Sequence, residues 1–186
     1  VKAVSPGVFK DNPSRLLRAP RLAAQLRFQI DNQTAATIQE QARLVESVSP
    51  EQTRDELLKI LAEPNARQSL RLLDKLGLLT SIFPELEQAR NTTQPAEHYW
   101  NVFDHSIETV DKIELLTQRR TDSNDIVRET PWSNETANHF ETEAGDGYTR
   151  CTLLKLIGLL HDIGKPQTKT VETSGRIRFL GHHALG

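Results

Sequence analysis

The sequence predicts an all-α protein: a helical bundle over residues 1–92, then the N-terminal part of a second helical domain over residues 93–186. Three observations carry that expectation. Nothing in the first half alternates apolar and polar residues as a half-buried strand does. Helix-opening signals recur instead at Asp11-Asn12-Pro13, Asp31 and Ser49-Pro50-Glu51-Gln52, each followed by apolar residues at helical spacing. The stretch Leu153-Leu154-Lys155-Leu156-Ile157-Gly158-Leu159-Leu160 is apolar on most of a helical circumference, the pattern of a helix buried in a core.

A chain of 186 residues can bury a core, as one large domain or two small ones. Hydrophobic residues at 37% and charged residues at 26% describe an ordinary soluble protein. No apolar run approaches a membrane span and no signal peptide opens the chain. One cysteine, Cys151, excludes an intramolecular disulfide, and cytoplasmic residence is the expectation. A net charge of -2 gives no overall pull toward nucleic acid. The lack of Met, and an ending at His182-His183-Ala184-Leu185-Gly186 where a helix would begin, are expected of a fragment.

Residues 1–10, with Pro6 and Gly7, predict a linker. Pro13 follows a cap residue and starts a helix running to about Phe28. Leu16, Leu17, Pro20, Ala23 and Ala24 share one face, with Arg15, Arg18 and Arg21 on the other. Pro20 removes a backbone hydrogen bond and predicts a kink. Three arginines at this spacing most often form a solvated face; their functional reading is contact with phosphate or a base edge.

Asp31 caps a second helix with Ala35, Ile38, Ala42 and Val45 in phase. Ser49 opens a third carrying Leu57, Leu58, Ile60 and Leu61. Pro64 starts a fourth, with Ala66, Leu70 and Leu73 in phase and Gly77 as its stop. Leu78-Leu79 and Ile82-Phe83-Pro84 predict a hydrophobic connection. Asn91 to Trp100, bearing Pro95 and His98, is the expected domain boundary. A helix from about Trp100 to Gln118 puts Phe103, Ile107 and Val110 on its core face and His105 off it. Residues 121–149 are acidic and predict an extended, mobile insertion, pinned to the body by Trp132 and Phe140. Thr168-Lys169-Thr170-Val171 and Arg176-Ile177-Arg178-Phe179 flank Ser174-Gly175 as a short hairpin.

The apolar helix ends on His161-Asp162 and a Gly164-Lys165-Pro166 exit that cannot continue it. Polar ligand types at the end of a buried helix need a partner. A divalent metal is one, since imidazole nitrogen and carboxylate oxygen both coordinate it. The plainer alternative is that His161 caps its own helix while Asp162 pairs with Lys165. The Leu-Leu before the doublet, the exit after it and the upstream His105 favour the metal.

His161-Asp162, with His105 in Val102-Phe103-Asp104-His105-Ser106, resembles the HD superfamily of metal-dependent phosphohydrolases. That signature is a distant His, the His-Asp doublet and a later Asp, which the chain does not reach before Gly186. The resemblance implies a divalent metal (Mg²⁺, Mn²⁺ or another transition metal) on His105, His161 and Asp162. Gly181-His182-His183 looks like a further His-bearing turn of such domains, making His182 a candidate support. Lys165, with Lys169, Arg176 and Arg178, puts positive charge near the presumed metal, useful for a phosphate substrate; a solvated loop is the plainer reading of these four.

A second likeness covers nearly the whole chain. The run from Phe9 through Asn12, Arg15, Arg18 and Arg21 to Ile30 resembles the neck of the bacterial tRNA nucleotidyltransferase and poly(A) polymerase family. Val48-Ser49-Pro50-Glu51-Gln52-Thr53-Arg54-Asp55-Glu56-Leu57-Leu58 continues it. In CCA-adding members an acidic residue and an Arg three positions later read the incoming base, which implies Asn12 and Arg15 here, with Arg18 and Arg21 in support. Asn12 departs from that acidic residue and both donates and accepts. Pro20, Leu22 and Arg27 are further departures. Such proteins often carry an HD domain after neck and body, the order found here. The family's catalytic head, with a Gly-Ser turn and an Asp-x-Asp pair holding Mg²⁺, is not in these residues, so no nucleotide transfer is expected of them alone.

The resemblance implies tRNA or another RNA 3′ end and ATP or CTP as partners, with no membrane. The alternatives are a free-standing HD phosphohydrolase whose first half is a scaffold, and a non-catalytic RNA-binding module.

Overall fold

The structure, a computed structural model, describes residues 1–95, 99–119 and 125–186. His98 of the expected linker and Asp122 of the acidic stretch lie outside the described residues. The described chain is helical with two short hairpins, in agreement with the all-α expectation. It divides into two compact units, Val1–Pro84 and Glu85–Gly186. The division falls before Glu85, earlier than residue 92, because the helix Glu85–Arg90 packs against elements of the second unit.

In the first unit α1 (Val8–Asp11) leads into α2 (Arg15–Leu26), α3 (Asn32–Gln41) and a 3-10 segment (Ala42–Ser47). Then come α4 (Pro50–Ala62), α5 (Ala66–Lys75) and α6 (Leu78–Ile82). Two of the three expected helix starts are capped as read: Asp31 Oδ2 accepts from the Thr34 amide at 3.1 Å, and Ser49 Oγ from the Gln52 amide at 3.3 Å. The third is displaced: Asp11 closes α1, whose Val8 and Phe9 are buried where a linker was expected, and α2 begins only at Arg15, after Ser14. α2 packs on α4 and α5, burying Leu16, Leu17, Ala19, Pro20 and Ala23. It continues through Pro20 and ends at Arg27, whose left-handed φ of 54° closes the last turn onto the Ala23 and Ala24 carbonyls. Leu78–Ile82 is a helix, where a plain connection was expected. Gly77 at φ 73° lets the chain turn out of α5 and restart, burying Leu78 and Leu79.

The second unit contains α7 (Glu85–Arg90), α8 (Val102–Thr117), α9 (Asp125–Glu129), α10 (Asn134–Glu141) and the strands β1 (Glu143–Gly145) and β2 (Tyr148–Thr149). After these come α11 (Arg150–Leu160), α12 (Lys165–Thr168), β3 (Lys169–Val171), β4 (Ile177–Phe179) and a 3-10 turn (His182–Ala184). Phe103, Ile107 and Val110 of α8 are fully buried, as their spacing predicts, and α11 lies along α8. β3 and β4 pair antiparallel, Lys169 with Phe179 and Val171 with Ile177, where the hairpin was expected.

Two expectations are corrected. From Asp125 onward the acidic stretch is helices and a hairpin and not an extended insertion. Trp132 stacks on Phe140 at 5.9 Å, and the Arg119 guanidinium lies 5.4 Å from the Trp132 ring. α11 is also less enclosed than its composition predicts. Leu159 is buried, but Leu153, Leu154, Leu156 and Leu160 are half-buried and Ile157 is 60% exposed. The described neighbours α8, α10 and the β1–β2 hairpin leave one face of it open. Lys155 instead is buried, 3.1 Å from Glu114 of α8.

Candidate metal centre

The centre is built where α8 and α11 come closest. A Cβ on Gly158 would stand 2.5 Å from Ile113 Cδ1 and 3.3 Å from Thr109 Cγ2, so the bare glycine makes room for these α8 side chains. One turn from Thr109 is His105, and just past Gly158 is His161. Their rings lie side by side with centroids 5.3 Å apart and planes tilted by 58°. α11 ends at Leu160, which places His161 at the cap and Asp162 in the turn that follows.

All the candidate ligands converge on the Asp162 carboxylate, which is buried. Asp162 Oδ2 lies 3.0 Å from His161 Nε2 and 3.5 Å from His105 Nε2, and Oδ1 lies 3.6 Å from His182 Nε2. One donor atom each from His105, His161 and Asp162 falls within 4.8 Å of the others. Lys165 Nζ stands 2.7 Å from Oδ2. Both features of the plainer alternative are therefore present: His161 caps its helix through Nδ1, and Asp162 is paired with Lys165. That alternative does not account for three imidazoles around one carboxylate.

Tautomers are set by backbone carbonyls, which only accept. His161 Nδ1–H donates to the Gly158 oxygen at 2.9 Å, and His182 Nδ1–H to the Phe179 oxygen at 2.7 Å. Each neutral ring then turns a bare Nε2 lone pair toward Asp162. Two acceptors at 3.0 Å require a proton or a metal between them. The structure's polar atoms express the same need, because Asp162 Oδ2 is buried without a well-aligned hydrogen bond from any described residue. A borderline divalent ion with imidazole and carboxylate preference fits this donor set.

Without a metal the electrostatics are those of a proton shared in its place. The contact with Asp162 raises the His161 pKa above the ordinary imidazole value; burial opposes this, and the Gly158 carbonyl assists it. Burial alone would raise Asp162, but His161 and Lys165 outweigh it and hold the carboxyl well below the usual range.

The four candidate residues of the first unit are placed differently. Asn12 Oδ1 accepts from the Ser14 amide at 3.1 Å and the Ser14 hydroxyl at 2.6 Å, a local turn that orients Ser14, the residue before α2. Arg15 is exposed and donates to the Val8 carbonyl at 3.3 Å; Arg18 is exposed. Arg21 turns to α4, with Nε 2.6 Å from Glu56 Oε2, in an ion pair with side chains 18% and 10% exposed. Sequence reasoning also passed over Gln94, read as linker. Its Oε1 accepts from Lys165 Nζ at 2.7 Å, a contact 71 residues apart with no local signal.

Comparison with known proteins gives the class first. Residues 27–90 match a family described as the probable RNA and SrmB-binding site of polymerase A. The whole chain is 30% identical to the A-adding tRNA nucleotidyltransferase of Deinococcus radiodurans, over 37% of that protein. For the CC-adding tRNA nucleotidyltransferase of Thermus thermophilus the identity is 30%, over 92% of this chain and 34% of the relative. A multifunctional CCA protein of Nitrosococcus oceani is 27% identical, over 92% of this chain and 35% of its own length. The chain belongs to the tRNA nucleotidyltransferase and poly(A) polymerase family. It spans about a third of the length of these relatives.

Proposed function

We propose that the chain is part of an enzyme that adds nucleotides to the 3′ end of tRNA or another RNA, using ATP or CTP with Mg²⁺, and that its second unit is a metal-dependent HD phosphohydrolase. Relatives that match along the whole chain support the first reading. The observation that carries the second is the convergence of His105, His161 and Asp162 on one buried carboxylate oxygen.

In this reading residues 1–92 recognise nucleotide and RNA. Arg15 and Arg18 project from α2 into solvent, where a guanidinium fork meets a base edge or phosphate. Asn12, in this reading the partner of Arg15 in base reading, orients Ser14 just before that helix. Arg21 holds α2 on α4 through Glu56 and supports the surface from behind. No described helix is long and apolar enough to cross a membrane.

Within residues 93–186, the HD part in this reading, His105, His161 and Asp162 hold the ion, and His182 and Lys165 flank it. A divalent ion supplies Lewis-acid polarisation of a phosphoryl group and a more acidic water. The chain's own part is to fix the Nε2 atoms of His161 and His182 by backbone bonds at Nδ1 and to keep the carboxylate ionised.

Two experiments test this. Purified protein is assayed for bound Mn²⁺ and for phosphate release from a generic phosphomonoester, with His161→Ala and Asp162→Asn as controls. Stoichiometric Mn²⁺ lost in both variants supports the metal centre, and no bound ion in the wild type removes it. In the full-length enzyme, Arg15→Ala should impair nucleotide incorporation at a tRNA 3′ end without changing metal content. Unaltered incorporation would refute the recognition role and leave a phosphohydrolase on a helical scaffold.

A further inference from the structure

We propose that Lys165 is the resident counter-ion of Asp162: it competes with a divalent ion for the shared carboxylate, and Gln94 is where its ammonium withdraws when an ion enters. The inference rests on the metal reading above and concerns how the site is held when empty and how readily it loads.

Lys165 Nζ bridges two oxygens, 2.7 Å from Asp162 Oδ2 and 2.7 Å from Gln94 Oε1. Only the contact to Gln94 is an aligned hydrogen bond. The contact to Asp162 is a short ion pair on an oxygen that receives no aligned bond from any described residue. Lys165, Asp162 and Gln94 are all buried. The Gln94 amide is itself fixed, since Nε2 donates to the Trp100 carbonyl at 3.1 Å and leaves Oε1 facing the ammonium.

A buried carboxylate without a cation is strongly destabilising, and the ammonium meets that need in the empty site. An ion held by His105, His161 and Asp162 would use the same oxygen, Oδ2, because that is the one nearest both imidazoles. Two cations on one oxygen repel. The lysine stem is flexible, and its head already holds a second acceptor. Entry of an ion therefore loosens the ion pair while the bond to Gln94 is retained, and the ammonium never becomes a buried charge without a partner. The consequence is a site that stays folded when empty and binds its ion less tightly than the same three ligands would without the lysine.

Isothermal titration of the purified chain with Mn²⁺ tests this, using wild type, Lys165→Met and Gln94→Leu. Lys165→Met should bind Mn²⁺ more tightly by about tenfold or more, while its metal-free melting temperature falls. Gln94→Leu should bind Mn²⁺ less tightly, because the ammonium has nowhere to withdraw. A purely structural lysine would weaken both stability and binding. Unchanged or weaker Mn²⁺ binding in Lys165→Met would overturn the inference and leave the metal centre standing. No Mn²⁺ binding by either wild type or Lys165→Met would sink the metal centre and this inference together.

Discussion

Gly164 lies against the backbone of His182: a Cβ at position 164 would stand 2.5 Å from the His182 carbonyl oxygen and 3.2 Å from the Gly186 nitrogen. This contact seats the last turn of the chain beside the His-Asp doublet and brings His182 Nε2 to Asp162 Oδ1. The obstacle is backbone, which cannot rotate away. Gly164→Ala should therefore destabilise the second unit by about 1–3 kcal/mol and move His182 off the carboxylate. Urea denaturation measures the first effect, and a shifted His182 ring resonance in NMR reports the second.

The metal-free protein should be most stable on the acidic side of neutrality. His161 has a folded pKa above its unfolded value, so its contribution is complete below about pH 6.5 and is lost as pH rises through the folded value. Asp162 has a depressed folded pKa, so its contribution is present above about pH 4 and is lost as pH falls toward the folded value. Denaturation in chelator across pH should show a plateau between these limits, and His161→Gln should remove the alkaline decline. Mn²⁺ affinity should rise with pH as His161 releases its proton to solvent and frees Nε2 for the ion.

The arginines of α2 should separate by role. Arg21→Ala leaves the Glu56 carboxylate largely buried without its closest guanidinium and should cost about 2 kcal/mol of stability. Arg18→Ala removes an exposed side chain and should change stability by less than about 0.5 kcal/mol. In RNA binding the order should reverse for direct contacts, with Arg18→Ala lowering the salt dependence of affinity. Melting curves and salt titrations on both variants check the pair.

Arg27 holds a left-handed conformation at the end of α2 without being a glycine. Removing its Cβ relieves that strain, and Arg27→Gly should stabilise the first unit by about 1 kcal/mol. A loss of stability would mean that the arginine side chain contributes more than its backbone costs.

Much of this architecture is legible in local chemistry. The caps at Asp31 and Ser49, the stop at Gly77, the buried faces of α2 and α8 and the β3–β4 hairpin all depend on residues within a few positions of each other. The likeness of residues 9–30 and 48–58 to tRNA nucleotidyltransferases was equally readable, since it is carried by short runs. Illegible were the short helices α6, α9 and α10. Hydrophobic connection and polar stretch are compatible with either state, and packing decides between them.

By itself the sequence determined the helical class and the family, and it named His105, His161 and Asp162 as candidate ligands. Only the tertiary structure decided what the charged groups do. It turned Arg21 to Glu56, buried Lys155 against Glu114, and brought Gln94 to Lys165 across 71 positions. It also left one side of an apolar helix half-open. The physical reason is common to the three pairings. Helical periodicity tells which side of a segment a residue occupies, whereas a charge or a buried polar atom is satisfied by whichever distant partner the packing delivers.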